Sequence, residues 1–545
     1  MKKIIVFVLS VIVVIVSGCG DDKNNDGEQG NHGPDPGGSI DPPAASCDVA
    51  GDSQATATPE LIATLFDRWH EAWLGSATVA DINGDGVNEI LVPRGSLMLG
   101  WHLDGTIVFR AETEGRIWSS PVVGDLLPSE PGLEIAATSR ADLHVWTADG
   151  ANAPGFPVTW EDELRTLGAG DIDGDGAVEL VVVSTSGIGS GSEGGRDIIN
   201  AYNLDGSVVA GYPPNSTGTS GCTEACYQTG GFDQNLAVGD VNADGVDDVF
   251  ATQDNAYLSL HEGSGRAFDS NPIFEGRPEF LGIRFLHDFA LAMQGWADDE
   301  ESSLQAHFTN SAPAIVDVDG DGTNEAVVLG SVQNAAQSDR YLGVSLWVLR
   351  NDGTRLPGWE TPFYVPEYLA GLWDYEGTNV VAATNQVTVA DIDPESAGPE
   401  FIFAGFDGRI HAVRADATEM WSYGYTGDDQ VLTGGVTVAD LSMDGAPEVV
   451  FNSYSPDADK SHLFILDSGG NELHKIALPA RGAMPVPTLD DVDGDGTVEI
   501  IVSLKDGEDG VEQVLVYTVP GSSTNCLLWP TGRGNYLRNG YVPTN

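Results

Sequence analysis

The chain has 545 residues, 41% of them hydrophobic, with 83 acidic against 24 basic side chains and a formal net charge of −59. The apolar content suffices for a large core or several domains. The charge repels phosphate backbones and anionic headgroups, which argues against nucleic-acid binding and electrostatic membrane docking and leaves cations as natural partners.

In chain order, two lysines come first, then an apolar run over residues 4–16, then Val16-Ser17-Gly18-Cys19. This predicts an export signal over residues 1–18. The alternative is an uncleaved anchor, for which the run falls short of the ~20 residues a membrane span needs. The ending at Cys19 resembles a bacterial lipobox, and the resemblance implies cleavage before Cys19 and its acylation. The chain would then be exported and held at the outer membrane or cell surface by its lipid alone. Residues 19–46 hold almost no large apolar group and read as a disordered tether.

From there to the C-terminus one unit recurs. Close copies begin at Asp81 ("DINGDGVNEILV"), Asp171, Asp240, Asp317 ("DVDGDGTNEAVV"), Asp440 and Asp491, and looser ones at Asp125 and Asp391. Each copy follows a short apolar stretch and runs into a β-branched one, which reads as strand, loop, strand. A second motif, as in "LGWHLDGTIV" and "LWVLRNDGTRLPGW", places Asp-Gly between apolar runs, a hairpin signal. First aspartates are spaced by 44, 46, 69, 77, 74, 49 and 51 residues. The expected fold over residues 47–545 is an all-β propeller of four-stranded antiparallel blades. Eight blades are expected, or seven if one degenerate unit merges with a neighbour; a β-helix solenoid is the other architecture considered.

These units resemble FG-GAP or VCBS-type repeats, similar to those in the N-terminal propeller of integrin alpha chains and in bacterial surface proteins, over residues 61–541. The ending "WPTGRGNYLRNGY" resembles the closing segment of such bacterial propellers. The words Phe-Gly and Gly-Ala-Pro of the family name are mostly missing, which points to the bacterial branch.

Positions one, three, five and nine of the acidic loop carry hard oxygen donors, and position seven can add a backbone carbonyl. Six to eight such oxygens suit Ca²⁺. Glycines at positions four and six let the loop curl around one point. The expected ligand sets are Asp81, Asn83, Asp85 and Glu89; Asp171, Asp173, Asp175 and Glu179; Asp240, Asn242, Asp244 and Asp248; Asp317, Asp319, Asp321 and Glu325; Asp440, Ser442, Asp444 and Glu448; and Asp491, Asp493, Asp495 and Glu499. The Asp125 and Asp391 loops lack this spacing and are either plain turns or metal sites. About five to eight structural calcium ions are expected. An EF-hand is set aside, because its closing glutamate comes at position twelve between helices.

An exported chain with four further cysteines can form two disulfides. Cys47 and Cys526 lie just outside the repeats and are expected to pair across the ring closure, and Cys222 to pair with Cys226; free thiols are the alternative.

No His-Glu-x-x-His, Gly-x-Ser-x-Gly or Walker-type motif occurs. "GSGSEG" at residues 189–194 matches a dinucleotide fingerprint, but no apolar strand leads into it and it reads as a surface loop. Longer insertions fall on successive units, and there Arg277, Arg284, Trp296, Tyr364, Tyr368, Trp373 and Tyr375 gather as a candidate ligand face. The resulting expectation is a non-catalytic, calcium-stabilised surface lipoprotein for adhesion or for binding an extracellular protein or glycan. The alternative is a polysaccharide-degrading enzyme resembling a rhamnogalacturonan lyase.

Overall fold

The aliphatic run after the first acidic loop forms the strand Glu89–Arg94, which pairs antiparallel with Thr78–Ala80 on one side and Leu97–Trp101 on the other, and Ile107–Glu112 completes the sheet. The middle strand is buried at every position, whereas Ile107–Glu112 is exposed at four of its six residues. Inner strands therefore read as unbroken apolar runs and the outer strand as mixed. The computed structural model describes residues 56–68, 70–160, 162–185, 197–221, 230–231, 234–253, 258–268, 305–309, 311–333, 341–352, 354–371, 385–507, 513–524 and 526–543. All of them belong to one compact unit.

Eight such sheets form an eight-bladed β-propeller, one for each repeat. The blades hold three to five strands rather than a uniform four. In blades 3 and 4 the outer strand shrinks to the single bridges Tyr202↔Val208 and His261↔Ala267. Blade 5 gains a strand because its inner edge is broken into Gln305–His307 and Ala314–Val316, both paired with Glu325–Gln333. Between those pieces Ser311–Ala312 pairs parallel with the inner strand of blade 6.

The apolar core lies between blades. Leu91, Met98 and Phe109 of blade 1 pack with Val123, Ile135 and Trp146 of blade 2 in one cluster. The ring closes through another, in which Val492, Ile501 and Val516 of blade 8 meet Val79, Ile90 and Trp101 of blade 1. Each fully buried Val, Ile or Leu contributes about 1.5–3 kcal/mol. A blade alone would leave both faces wet, so the ring is the stable unit.

Closure uses both ends of the described chain. The strand Glu60–Leu65 pairs with Val514–Thr518 and becomes the outer strand of blade 8. Leu527–Trp529 adds to the inner edge of blade 7, beside Thr437–Ala439. The chain then travels round the axis. Pro530 O accepts from Leu489 N of blade 8, Tyr536 O from Val123 N of blade 2, Leu537 O from Ala169 N of blade 3, Asn539 O from Val238 N of blade 4, and Gly540 O from Ile315 N of blade 5. The segment seen in the sequence as a closing element is a plug that touches inner strands in ring order.

Cys526 is buried and disulfide-bonded. Cys19, Cys47, Cys222 and Cys226 lie outside the described residues, as do residues 1–46 and the "GSGSEG" segment. Among the described residues no helix is long and apolar enough to cross a membrane.

Candidate metal loops and the ring axis

The acidic loops of blades 1, 3, 5 and 8 share one hydrogen-bond scheme, which blades 4 and 7 keep in part. In blade 3 the carboxylate of Asp171 accepts Gly174 N at 2.7 Å, Asp175 N at 3.1 Å and Gly176 N at 3.0 Å. Asp173 Oδ1 accepts Asp175 N at 3.1 Å, Asp175 Oδ1 accepts Ala177 N at 2.8 Å, and Glu179 Oε2 reaches back to Ile172 N at 3.0 Å. Glycines at positions four and six make this possible, with φ of 75° and 90° at Gly174 and Gly176. In blades 4 and 7 position four is instead Ala243 and Met443, both held at φ 60°.

Carboxylates at positions one, three and nine converge in three of these loops. Asp171, Asp173 and Glu179 offer ligand atoms within 4.8 Å of one another, as do Asp317, Asp319 and Glu325, and Asp491, Asp493 and Glu499. Three hard carboxylates around one point, beside backbone carbonyls, fit a calcium ion by donor chemistry. Burial, with like charges nearby, pushes Glu179 up to about 8 and Glu325 and Glu499 up to about 7.

The other loops differ. In blade 1 the converging group is Asp85, Glu89 and His102, with His102 Nε2 at 2.8 Å from Glu89 Oε1. In blade 7 Thr56 donates to Glu448 Oε1 at 2.9 Å, Asp440 is fully buried, and Ser442 donates to its Oδ1 at 3.4 Å. Blade 4 sets Asp240, Asn242 and Asp244 in the shared scheme and buries Asp248, whose carboxyl burial pushes up to about 8. The irregular loops of blades 2 and 6 keep only the closing acid in place: Glu134 takes Leu127 N at 2.7 Å, and Glu400 takes Ile392 N at 2.9 Å. Each of these two glutamates has an Oε1 that is buried with no hydrogen-bond partner.

Loops also join neighbouring blades. Asn88 Nδ2 donates to Asp491 O at 2.9 Å, Leu133 N to Ile82 O at 2.8 Å, and Asp247 N to Asp171 O at 2.9 Å. A cation held in one loop would therefore stiffen a contact between two blades.

Sequence reading missed two groups. The first is the residue opposite the closing acid on the third strand, where His102, Arg350 and Arg414 stand in blades 1, 5 and 6; aligning the hairpin aspartates Asp104, Asp352 and Asp416 places all three two residues before the turn. The second is the axial pair Arg533 and Arg538, 3% and 0% exposed. Arg533 donates to Leu167 O and Leu236 O, both at 2.5 Å. Arg538 donates to Pro121 O at 2.9 Å, Gly532 O at 2.9 Å, Ala77 O at 2.8 Å and Thr78 Oγ1 at 2.7 Å. Burial pushes both guanidinium groups down to about 9.

Antiparallel pairing puts the blade-to-blade connections at the end opposite the acidic loops. Of the expected ligand face, Tyr364 donates to Leu342 O at 2.7 Å, and the Tyr368 ring packs 5.1 Å from Tyr341 and 5.9 Å from Phe406. Arg277, Arg284, Trp296, Trp373 and Tyr375 lie outside the described residues. At the same end Trp73 and Trp118 meet edge to face at 5.0 Å. Arg116 lies 3.6 Å and Lys505 3.2 Å from the Trp73 ring centre, and Arg165 lies 3.8 Å from that of Trp118. In a chain with 24 basic residues this is a marked concentration of positive charge on aromatic faces.

Neither a protein-family model nor a curated protein matches the chain. Among solved structures it is similar to the V. cholerae biofilm matrix protein Bap1, with a TM-score of 0.50 and 14% identity over 89% of this chain and 96% of that one. It is also similar to the rhamnogalacturonan lyase PL11 of Bacillus licheniformis (TM-score 0.42, 15% identity, 85% of this chain and 75% of that one). A third is the Dos1 propeller (TM-score 0.46, 9% identity, 84% and 95%). At these identities the likeness is one of fold.

Proposed function

We propose that the chain is an exported, lipid-anchored propeller of the FG-GAP or VCBS repeat type, stabilised by calcium and used for adhesion or ligand binding without catalysis. The observation that carries the calcium reading is the convergence of the position one, three and nine carboxylates within 4.8 Å in blades 3 and 8. Because the loops bond across to neighbouring blades, bound ions stabilise the assembled ring and not the unfolded chain, by RT ln(1 + [L]/Kd), about 2.7 kcal/mol per site at a hundredfold excess over Kd. The disulfide at Cys526 is assigned to Cys47, which would tie the entry of the first repeat to the exit of the last. The ligand face is the end bearing the insertions, Tyr364, Tyr368 and the Trp73–Trp118 cluster; its occupant is an extracellular protein or glycan.

Thermal unfolding in excess chelator and in calcium tests the structural part. The melting temperature falls on chelation and recovers with calcium; an unchanged curve, with no calcium found by elemental analysis, overturns that reading. Glycan arrays and acidic polysaccharides test the rest. Retention without cleavage is expected, and depolymerisation would overturn the non-catalytic role.

A further inference from the structure

In blade 8 the closing acid Glu499 lies directly across the sheet from Thr518. The same register, one step beyond Ala326↔Leu349 and Leu180↔Tyr202, sets Arg350 opposite Glu325 and Asn203 opposite Glu179. The cross-strand position thus looks straight onto the converging carboxylates of its own blade. Its occupant varies from blade to blade in charge, while the loop backbone of the close copies follows one course.

In blade 5 that occupant is a cation, and it is bound. Arg350 Nη2 lies 2.8 Å from Asp319 Oδ2 and 3.5 Å from Asp321 Oδ2, and its Nε lies 3.4 Å from Glu325 Oε1. Asp319, Asp321 and Glu325 are carboxylates expected to hold an ion, and the guanidinium lines the same small cleft as Asp321 and Glu325. A guanidinium is permanently charged, and a second, divalent cation on the same carboxylates would be repelled by it. Blade 6 repeats the arrangement, with Arg414 Nη2 at 3.2 Å from Asp393 Oδ2. In blades 3 and 8 the position is held by neutral Asn203 and Thr518.

We infer that Arg350 is the resident cation of the blade 5 loop, taking the place of calcium there, and that the residue across from the closing acid decides which loops hold an ion. The inference rests on the calcium reading of the other loops. It means that one of the three loops with a complete Asp-Asp-Asp-Glu set is left empty by calcium, and that blade 5 keeps its loop geometry when calcium is withdrawn.

Calcium stoichiometry by native mass spectrometry and elemental analysis tests it on the purified chain. Arg350→Ala is expected to bind one calcium more than the parent, and Asn203→Arg, which places the same guanidinium over the blade 3 loop, one fewer. The two changes are reciprocal, so a folding failure of one leaves the other decisive. A parent that binds calcium with an unchanged count in either folded variant overturns the role of Arg350 alone. No calcium in any of the proteins overturns the calcium reading, and this inference with it.

Discussion

The axis of the ring and its acidic-loop end handle buried charge in opposite ways. At the axis, Arg533 and Arg538 are enclosed cations with no carboxylate bonded to them among the described residues; carbonyl or hydroxyl oxygens from blades 1 to 4 and from the plug accept from every donor nitrogen except Arg533 Nε. At the loop end, backbone N–H groups bond many of the carboxylate oxygens, yet carboxylates of positions one, three and nine still face one another within 4.8 Å in blades 3, 5 and 8. A ring supplies many carbonyl ends along its axis, so the fold itself completes the charge there. A single loop supplies only its own few N–H groups, so the loop end needs a cation from solution or from a neighbouring strand.

The largest effect is expected at the axis. Arg538→Met removes the charge and strands oxygens of Ala77, Thr78, Pro121 and Gly532, which costs about 3–5 kcal/mol. Urea unfolding measures it. A loss below about 1 kcal/mol would mean that water or repacking can replace the plug, and the contrast between axis and loops would collapse.

A smaller effect sharpens the loop side, at a glutamate whose loop lacks the full ligand set. Burial, helped by the charges of Asp125 and Glu130, raises Glu134 from 4.5 to about 7. Folding therefore takes up a proton between those values, and the stability it contributes is complete below about 4.5 and lost as pH rises through about 7. Glu134→Gln should match the parent near the lower limit and exceed it at pH 8 by on the order of 1–2 kcal/mol. Stability curves for the two proteins across that range decide this; parallel curves would show Glu134 charged in the folded state.

The smallest effect is in the backbone. Ala243 occupies a position where other loops have glycine, at φ 60°. Ala243→Gly should relieve up to about 1 kcal/mol of left-handed strain, partly offset by the greater freedom of the unfolded chain. Calorimetry without calcium measures it directly, and a net loss of stability would show that the alanine is not strained.

The sequence by itself determined what depends on near neighbours. In the complete loops the aspartate at position one bonds N–H groups three to five residues on, so the spacing of donors and glycines along a dozen residues announced the loop. The alternation of apolar runs and Asp-Gly turns announced the strands, and eight repeats announced eight blades. Strand number was less legible, because a blade's outer edge and the broken inner edge of blade 5 depend on what the neighbouring chain offers. Only the tertiary structure decided how charge is shared. Arg350 meets a loop 31 residues earlier in the chain, and Arg538 meets Ala77 from 461 residues away. Those partners are chosen by strand register and ring closure, which act through space, whereas a repeat pattern reports only the bonds a segment makes with itself.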